Sequence, residues 1–156
     1  MPLKYFSYQF DAGPLETKEE LDGDWKTGNC RRALQYYFYA TRGLFLLPKE
    51  VLCPEAYYQT GEFVFKKGDI VELSKLQPGD IIYAERIRSK DGSPINKSEE
   101  SFPTADDYIV ALHTAIYVGE QDKEIWHATS IEGGSCQWPL AKFLKFYKPI
   151  AIKRLF

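Results

Sequence analysis

Cysteine and histidine are scarce in this chain, and each scarcity narrows what it can be. Three cysteines, Cys30, Cys53 and Cys136, cannot close a disulfide set, and no Cys-x-x-Cys pair is present to hold zinc or exchange disulfides. The two histidines, His113 and His127, must carry any imidazole chemistry. No run of lysine and arginine exceeds two residues and the formal charge is −2. That leaves no basic surface for phosphates and argues against a nucleic-acid partner. No apolar run approaches the ~20 residues of a membrane span, and the opening MPLKYFSYQFDAGP lacks the apolar centre of a secretory signal. As given, the chain is therefore expected to be cytoplasmic and without a membrane partner, signal-independent export being the alternative. Internal repeats and domain linkers are also missing.

What is present fits one globular domain. A chain of 156 residues is long enough to bury a core, and 44% hydrophobic with 27% charged residues is ordinary for a folded protein. Aromatics are abundant, with 11 Tyr, 10 Phe and 3 Trp. Most are expected in the core or at its rim, and a minority along a groove.

Thr17 and Glu20 have capping-box spacing and predict a short helix, followed by a Gly/Asp loop over Leu21–Gly28. The clearest helix runs from Cys30 to Arg42. Cys30, Ala33, Leu34, Tyr37, Phe38 and Thr41 form one stripe, Asn29 caps the start and Gly43 suits the exit. A helical turn is expected at Pro54–Thr60 and short strands at Glu62–Phe65 and Ile70–Glu72. The turn Leu76-Gln77-Pro78-Gly79-Asp80 leads into a strand at Ile81–Ala84. Residues 89–107, polar and rich in Ser, Asp and Pro, read as a surface loop. Strands at Tyr108–Val118 and Glu124–Thr129 follow, joined at Gly119–Lys123. A short helix near Pro139–Phe146 and a last strand at Ile150–Phe156 close the chain. A helix followed by strands with tight returns predicts an α+β fold with a central antiparallel sheet and the long helix on one face.

Cys30 at a helix start would sit among backbone N–H groups at the positive end of the helix dipole, which favours a thiolate. Free thiols titrate at roughly 8.5, and such surroundings lower this to about 3.5–7.5. The same donors could hold the oxyanion formed on attack at a carbonyl. Alone, a cysteine more often reads as inert packing. The histidines shift that balance. His113 and His127 are symmetric about Glu120 in the loop joining two strands. In an antiparallel hairpin such residues face each other, and a slip of one pair makes them diagonal neighbours on the same face. His113 could then take the thiol proton while His127 orients it. Ala115, small and two residues along, would let a helix approach. Chance placement of two polar residues and a zinc site of Cys30, His113 and His127 are the competing readings. The second lacks the usual local ligand spacing.

Four segments resemble the NlpC/P60 family of papain-like cysteine hydrolases. Asn29-Cys30-Arg31-Arg32-Ala33-Leu34-Gln35-Tyr36 is similar to that family's Asp-Cys-Ser-Gly-Phe-Val helix start. Leu76-Gln77-Pro78-Gly79-Asp80-Ile81-Ile82-Tyr83 is similar to its Leu-Lys-Pro-Gly-Asp-Leu strand start. His113-Thr114-Ala115-Ile116-Tyr117-Val118-Gly119 resembles its His-Val-Gly-Ile-Tyr-Ile-Gly strand, and Ile125-Trp126-His127-Ala128 its Phe-Ile-His-Ala strand. They fall in the family's order and span residues 29–156. The resemblance implies a papain-like α+β fold over one catalytic domain, no cofactor or metal, and hydrolysis of peptide or other amide bonds, often in cell-wall peptides. It assigns Cys30 as nucleophile, His113 as base and His127 as orienting residue.

The chain also departs from that pattern. Asn29 stands where the family has an acid, and Arg31-Arg32 where it has Ser-Gly. Asn29 and Arg31 are thus candidates for binding an anionic substrate group in place of an amine, a solvated helix edge being the alternative. Tyr8 and Trp25, with Tyr5, are candidates to cover the site, as an aromatic upstream of the nucleophile often does in that family. Residues 1–28 match no motif. Cys136, after Gly133-Gly134-Ser135, and Cys53 read as structural. Residues 89–107 are expected to form a mobile flap, since they lead into the strand carrying His113. Two further functions use the same residues: an acyltransferase with the same acyl-enzyme, and a family member that binds a peptide or protein without catalysis.

Overall fold

Thr17 starts a helix as its spacing to Glu20 predicts, though the reciprocal bond of a full capping box, Thr17 backbone N–H to the Glu20 side chain, is replaced by one from the Thr17 hydroxyl. The Thr17 hydroxyl accepts from the Glu20 backbone N–H at 3.2 Å and donates to the Glu20 carboxylate at 3.0 Å, starting helix α1 (Lys18–Gly23). Asn29 likewise caps helix α2 (Cys30–Arg42), its side-chain oxygen accepting from the N–H groups of Arg31 and Arg32. At the other end Gly43 takes the left-handed conformation, φ 66°, and its N–H returns to Phe38 and Tyr39 carbonyls. The computed structural model describes residues 5–23, 26–48, 61–66, 69–70, 72–95, 98–119, 121 and 123–155. It is an α+β protein, and the chain divides into two compact units, residues 1–60 with 127–136 and residues 61–126 with 137–156.

In the first unit, β1 (Ser7–Tyr8) pairs in parallel with β2 (Thr27–Gly28). It also pairs antiparallel with the first residue of β7 (Gly134–Pro139), so the strands here are mixed. Residues 5–23 and 26–28, which match no motif, therefore help to build this unit. The Phe6 ring stacks on Tyr36 of α2 at 5.8 Å, and Leu21, Leu34 and Phe38 are buried with them. The buried face of α2 differs from the predicted stripe. Arg31, Gln35, Tyr36 and Ala40 are inside, Cys30 and Tyr37 are half-buried, and Thr41 is exposed. Gln35 is drawn in because its amide satisfies three backbone groups, Leu15 N–H, Leu15 C=O and Leu46 C=O, at 2.7–2.9 Å.

The second unit holds the antiparallel pairs of β3 (Glu62–Phe65), β4 (Ile81–Arg86), β5 (His113–Gly119), β6 (Glu124–Thr129) and β8 (Tyr147–Arg154). Their order is β6-β5-β4-β8-β3. Ile81, Ile82, Tyr83 and Ala84 are all buried, so both faces of β4 are covered, as its unbroken apolar run requires. Two helices belong here, α3 (Ala105–Ala111) and α4 (Leu140–Phe146). The chain passes between the units within β6 and again within β7. Helix α2 belongs to the unit with mixed strands, not to the one with the antiparallel sheet.

Several expectations are corrected. Tyr108–Leu112, predicted as strand, follows the start of a helix: the Thr104 hydroxyl accepts from Asp107 N–H at 3.1 Å, and two aspartates occupy the first turn. Ile70 and Glu72 are not in a strand; a 3₁₀ turn at Leu73–Lys75 follows them, and Val71 lies outside the described residues. The last strand starts at Tyr147, three residues early. Residues 89–107 are not one irregular loop. They contain a hairpin closed by the Arg88–Pro94 bridge, a 3₁₀ turn at Glu99–Ser101 and the start of α3. Within that hairpin the Ser89 and Ser93 hydroxyls donate to Asp91 and hold its carboxyl down at about 2. The β5–β6 pairing is the one-pair slip, Ile116 with Trp126, because the ladder is irregular between Tyr117 and Gly119, where Gly119 has φ 83°. The helical turn expected at Pro54–Thr60 lies outside the described residues. Among the described residues no helix is long and apolar enough to cross a membrane.

Candidate active site

Cys30 is the first residue of a 13-residue helix and is half-buried. What surrounds its backbone is set by Asn29. The Asn29 side-chain oxygen takes Arg31 N–H at 3.0 Å and Arg32 N–H at 3.1 Å. Its amide nitrogen donates to Phe10 C=O at 3.3 Å, and its backbone N–H donates to Ala12 C=O at 2.8 Å. An amide can do this where a carboxylate cannot, since one end accepts and the other donates. The cap has a chemical consequence. Two of the first-turn donors expected to receive an oxyanion are engaged by Asn29, so an oxyanion at the sulfur needs other donors.

The two arginines behave differently. Arg32 is structural, its guanidinium donating to Gly13 C=O at 2.6 Å and Thr27 C=O at 3.1 Å. Arg31 is buried, 6% exposed, which excludes the solvated helix edge for that residue. Tyr8 is half-buried on β1 and Tyr5 is exposed on the same segment, its hydroxyl donating to Gly133 C=O at 3.2 Å. Trp25 and Cys53 lie outside the described residues. Cys136 is half-buried on β7.

His127, on β6, is buried and falls in the same unit as Cys30. His113, the first residue of β5, falls in the other unit and is half-buried. Its imidazole lies flat on the Tyr147 ring, centroids 4.2 Å apart and planes 17° apart, and Tyr147 in turn stacks on Phe143 at 4.9 Å. Neither ring was legible as a site residue, because each is more than 29 positions from His113 and is brought there by the β4–β5 and β4–β8 pairings.

The Leu76–Asp80 turn has a structural task. Pro78 and Gly79, the latter at φ 97°, make the turn, and the Asp80 carboxylate accepts from Gln77 N–H at 2.8 Å. Lys153, on β8 between Ile81 and Phe63, is fully buried, and burial pushes its ammonium down to about 8. An open groove of about 420 Å³ between β3 and residues 74–77, floored by Arg154, includes none of the candidate residues. Among the described residues no cluster of three or more His, Cys, Asp or Glu side chains is arranged to hold a metal ion. No family model, curated protein or solved structure matches the chain.

Proposed function

We propose that the chain is a cysteine hydrolase of the NlpC/P60 kind, acting on a peptide or other amide through Cys30, His113 and His127. Cys30 attacks the carbonyl, His113 takes the thiol proton and delivers it to the leaving amine, and His127 orients the imidazole. Water assisted by His113 then releases the acyl group. The observation that carries this is Cys30 opening a long, side-chain-capped helix, in one unit with a buried histidine. Support also comes from the ordered resemblance of four segments to that family, whose papain-like fold the proposal adopts. Arg31-Arg32 in place of that family's Ser-Gly favours a substrate with an anionic group.

The test is thiol alkylation with iodoacetamide at pH 6, read residue by residue by mass spectrometry, with Cys136 as the reference inside the same molecule. Cys30 is expected to react at least tenfold faster than Cys136, and His113→Asn to remove most of that excess. On a peptide amide that the protein cleaves, Cys30→Ala abolishes turnover and His113→Asn lowers it about a hundredfold or more. Equal reactivity of the two thiols, or full turnover by Cys30→Ala, rules the proposal out.

A further inference from the structure

His113 stands on a base of aromatic rings that the Cys-His-His assignment does not use. Its imidazole is stacked on Tyr147, Tyr147 is 2% exposed, and Phe143 beside Tyr147 is fully buried, 6.3 Å from the imidazole. Trp138, also buried, flanks Tyr147 at 6.5 Å. The base is also held through the backbone ladders: Tyr147 opens β8 and pairs with Arg86 of β4, while His113 opens β5 and pairs with Ala84 of the same strand. A proton acceptor must be neutral in one step and an imidazolium in the next. The stack serves both states, since neutral rings stack favourably and a cation is drawn to a ring face.

We infer that Tyr147 is a positioning residue for His113: its ring, packed against Phe143, fixes the plane in which the imidazole presents its nitrogens. This rests on His113 being the base of the proposed reaction. Misplacing a reacting group by about 1 Å can cost ~100-fold in rate, so holding a half-exposed ring still has a kinetic consequence.

Two measurements on the full-length chain test it. The first needs no variant. Stacking on Tyr147 shifts the His113 ring protons upfield in the NMR spectrum relative to the unfolded chain, and unfolded-chain positions overturn the inference. The second is the rate of Cys30 alkylation at pH 6, referred to Cys136, in Tyr147→Phe, Tyr147→Leu, Tyr147→Met and His113→Asn. Tyr147→Phe keeps the ring and is expected within about twofold of the parent, whereas Tyr147→Leu loses about tenfold or more with Cys136 unaffected. Tyr147→Met, which fills the ring volume with a flexible chain, gives the same loss if the leucine variant does not fold. A slow His113→Asn beside fast Leu and Met variants overturns the role of Tyr147 alone. A fast His113→Asn overturns the base assignment, and the role of Tyr147 with it.

Discussion

The Arg154 guanidinium grips the Asp80 carboxylate with two parallel hydrogen bonds, Nε to Oδ1 at 2.8 Å and Nη2 to Oδ2 at 2.9 Å. One pair thus ties the turn before β4 to the end of β8. Nη2 also donates to Lys75 C=O at 3.1 Å, so the 3₁₀ turn is held by the same side chain. Asp80 holds the Arg154 guanidinium above its ordinary range.

The two partners differ in access to water, and that asymmetry makes a prediction. Asp80 is 1% exposed while Arg154 is 26% exposed. Arg154→Met strands a buried carboxylate and is expected to cost about 3–5 kcal/mol. Asp80→Asn keeps an acceptor for Gln77 N–H and leaves a guanidinium that water can reach, so its cost is about 1–2 kcal/mol. Urea unfolding of both variants measures the order, and a larger loss for Asp80→Asn contradicts it.

Lys153 predicts a pH dependence of stability. Its ordinary value is 10.5 and burial lowers it to about 8 in the folded chain. Between these values the unfolded chain holds a proton that the folded chain has released, so stability rises with pH across that window. Below pH 8 both states hold the proton, and the folded state carries the whole cost of burying the charge, about 3 kcal/mol at most. Lys153→Met keeps the length without the charge but gives up the ammonium's approach to the Phe63 ring at 5.1 Å. The variant is expected to be about 1–3 kcal/mol more stable at pH 7, with the gain shrinking to nothing near pH 10.5. Unfolding at the two pH values checks this, and a variant less stable at pH 7 goes against it.

Gly134 is predicted to resist substitution. A methyl group there would meet Phe6 C=O at 2.6 Å and the Tyr5 ring at 2.5 Å. The ring belongs to an exposed side chain and can swing away, but the carbonyl is held by Ser135 N–H at 2.7 Å. Gly134→Ala should therefore push β1 from β7 at a cost of about 1–3 kcal/mol. Gly23→Ala, where nothing lies within 4 Å, is the control and should be neutral or slightly stabilising. Thermal unfolding of both separates them, and equal melting points would remove the steric account.

The same close approach explains part of what could be read in the sequence. Helix α2 was legible to the residue because Asn29, its apolar spacing and Gly43 agree, and β6 because Glu124–Thr129 is bounded by turn residues. β7 was not, since Gly133-Gly134-Ser135 looks like a loop when the backbone that needs Gly134 bare, that of Phe6, is distant in sequence. Strands of two residues, such as β1 and β2, carry no periodicity to read. Helix α3 was missed because Tyr108-Ile109-Val110 favours a strand locally, while the Thr104–Asp107 cap, the same kind of signal used at Thr17, outweighs it. Of the candidate site, the helix-start position of Cys30 and the strand positions of both histidines were legible. The burial of Arg31 and the rings beneath His113 were not, because they depend on which side of α2 turns inward and on the pairings through β4.

The first unit is assembled from two stretches of chain separated by more than sixty residues. A ribosome that has finished the first of them has not yet made Gly133 and Ser135, whose backbones hydrogen-bond to Tyr8 and Phe6 on either side of the Ser7–Gly134 pair. The earlier stretch therefore has to wait for its β-partners until residues 133–135 have been synthesised. Translation pauses or early stop codons between these stretches should leave a fragment suited to chaperones and proteases rather than a smaller working protein.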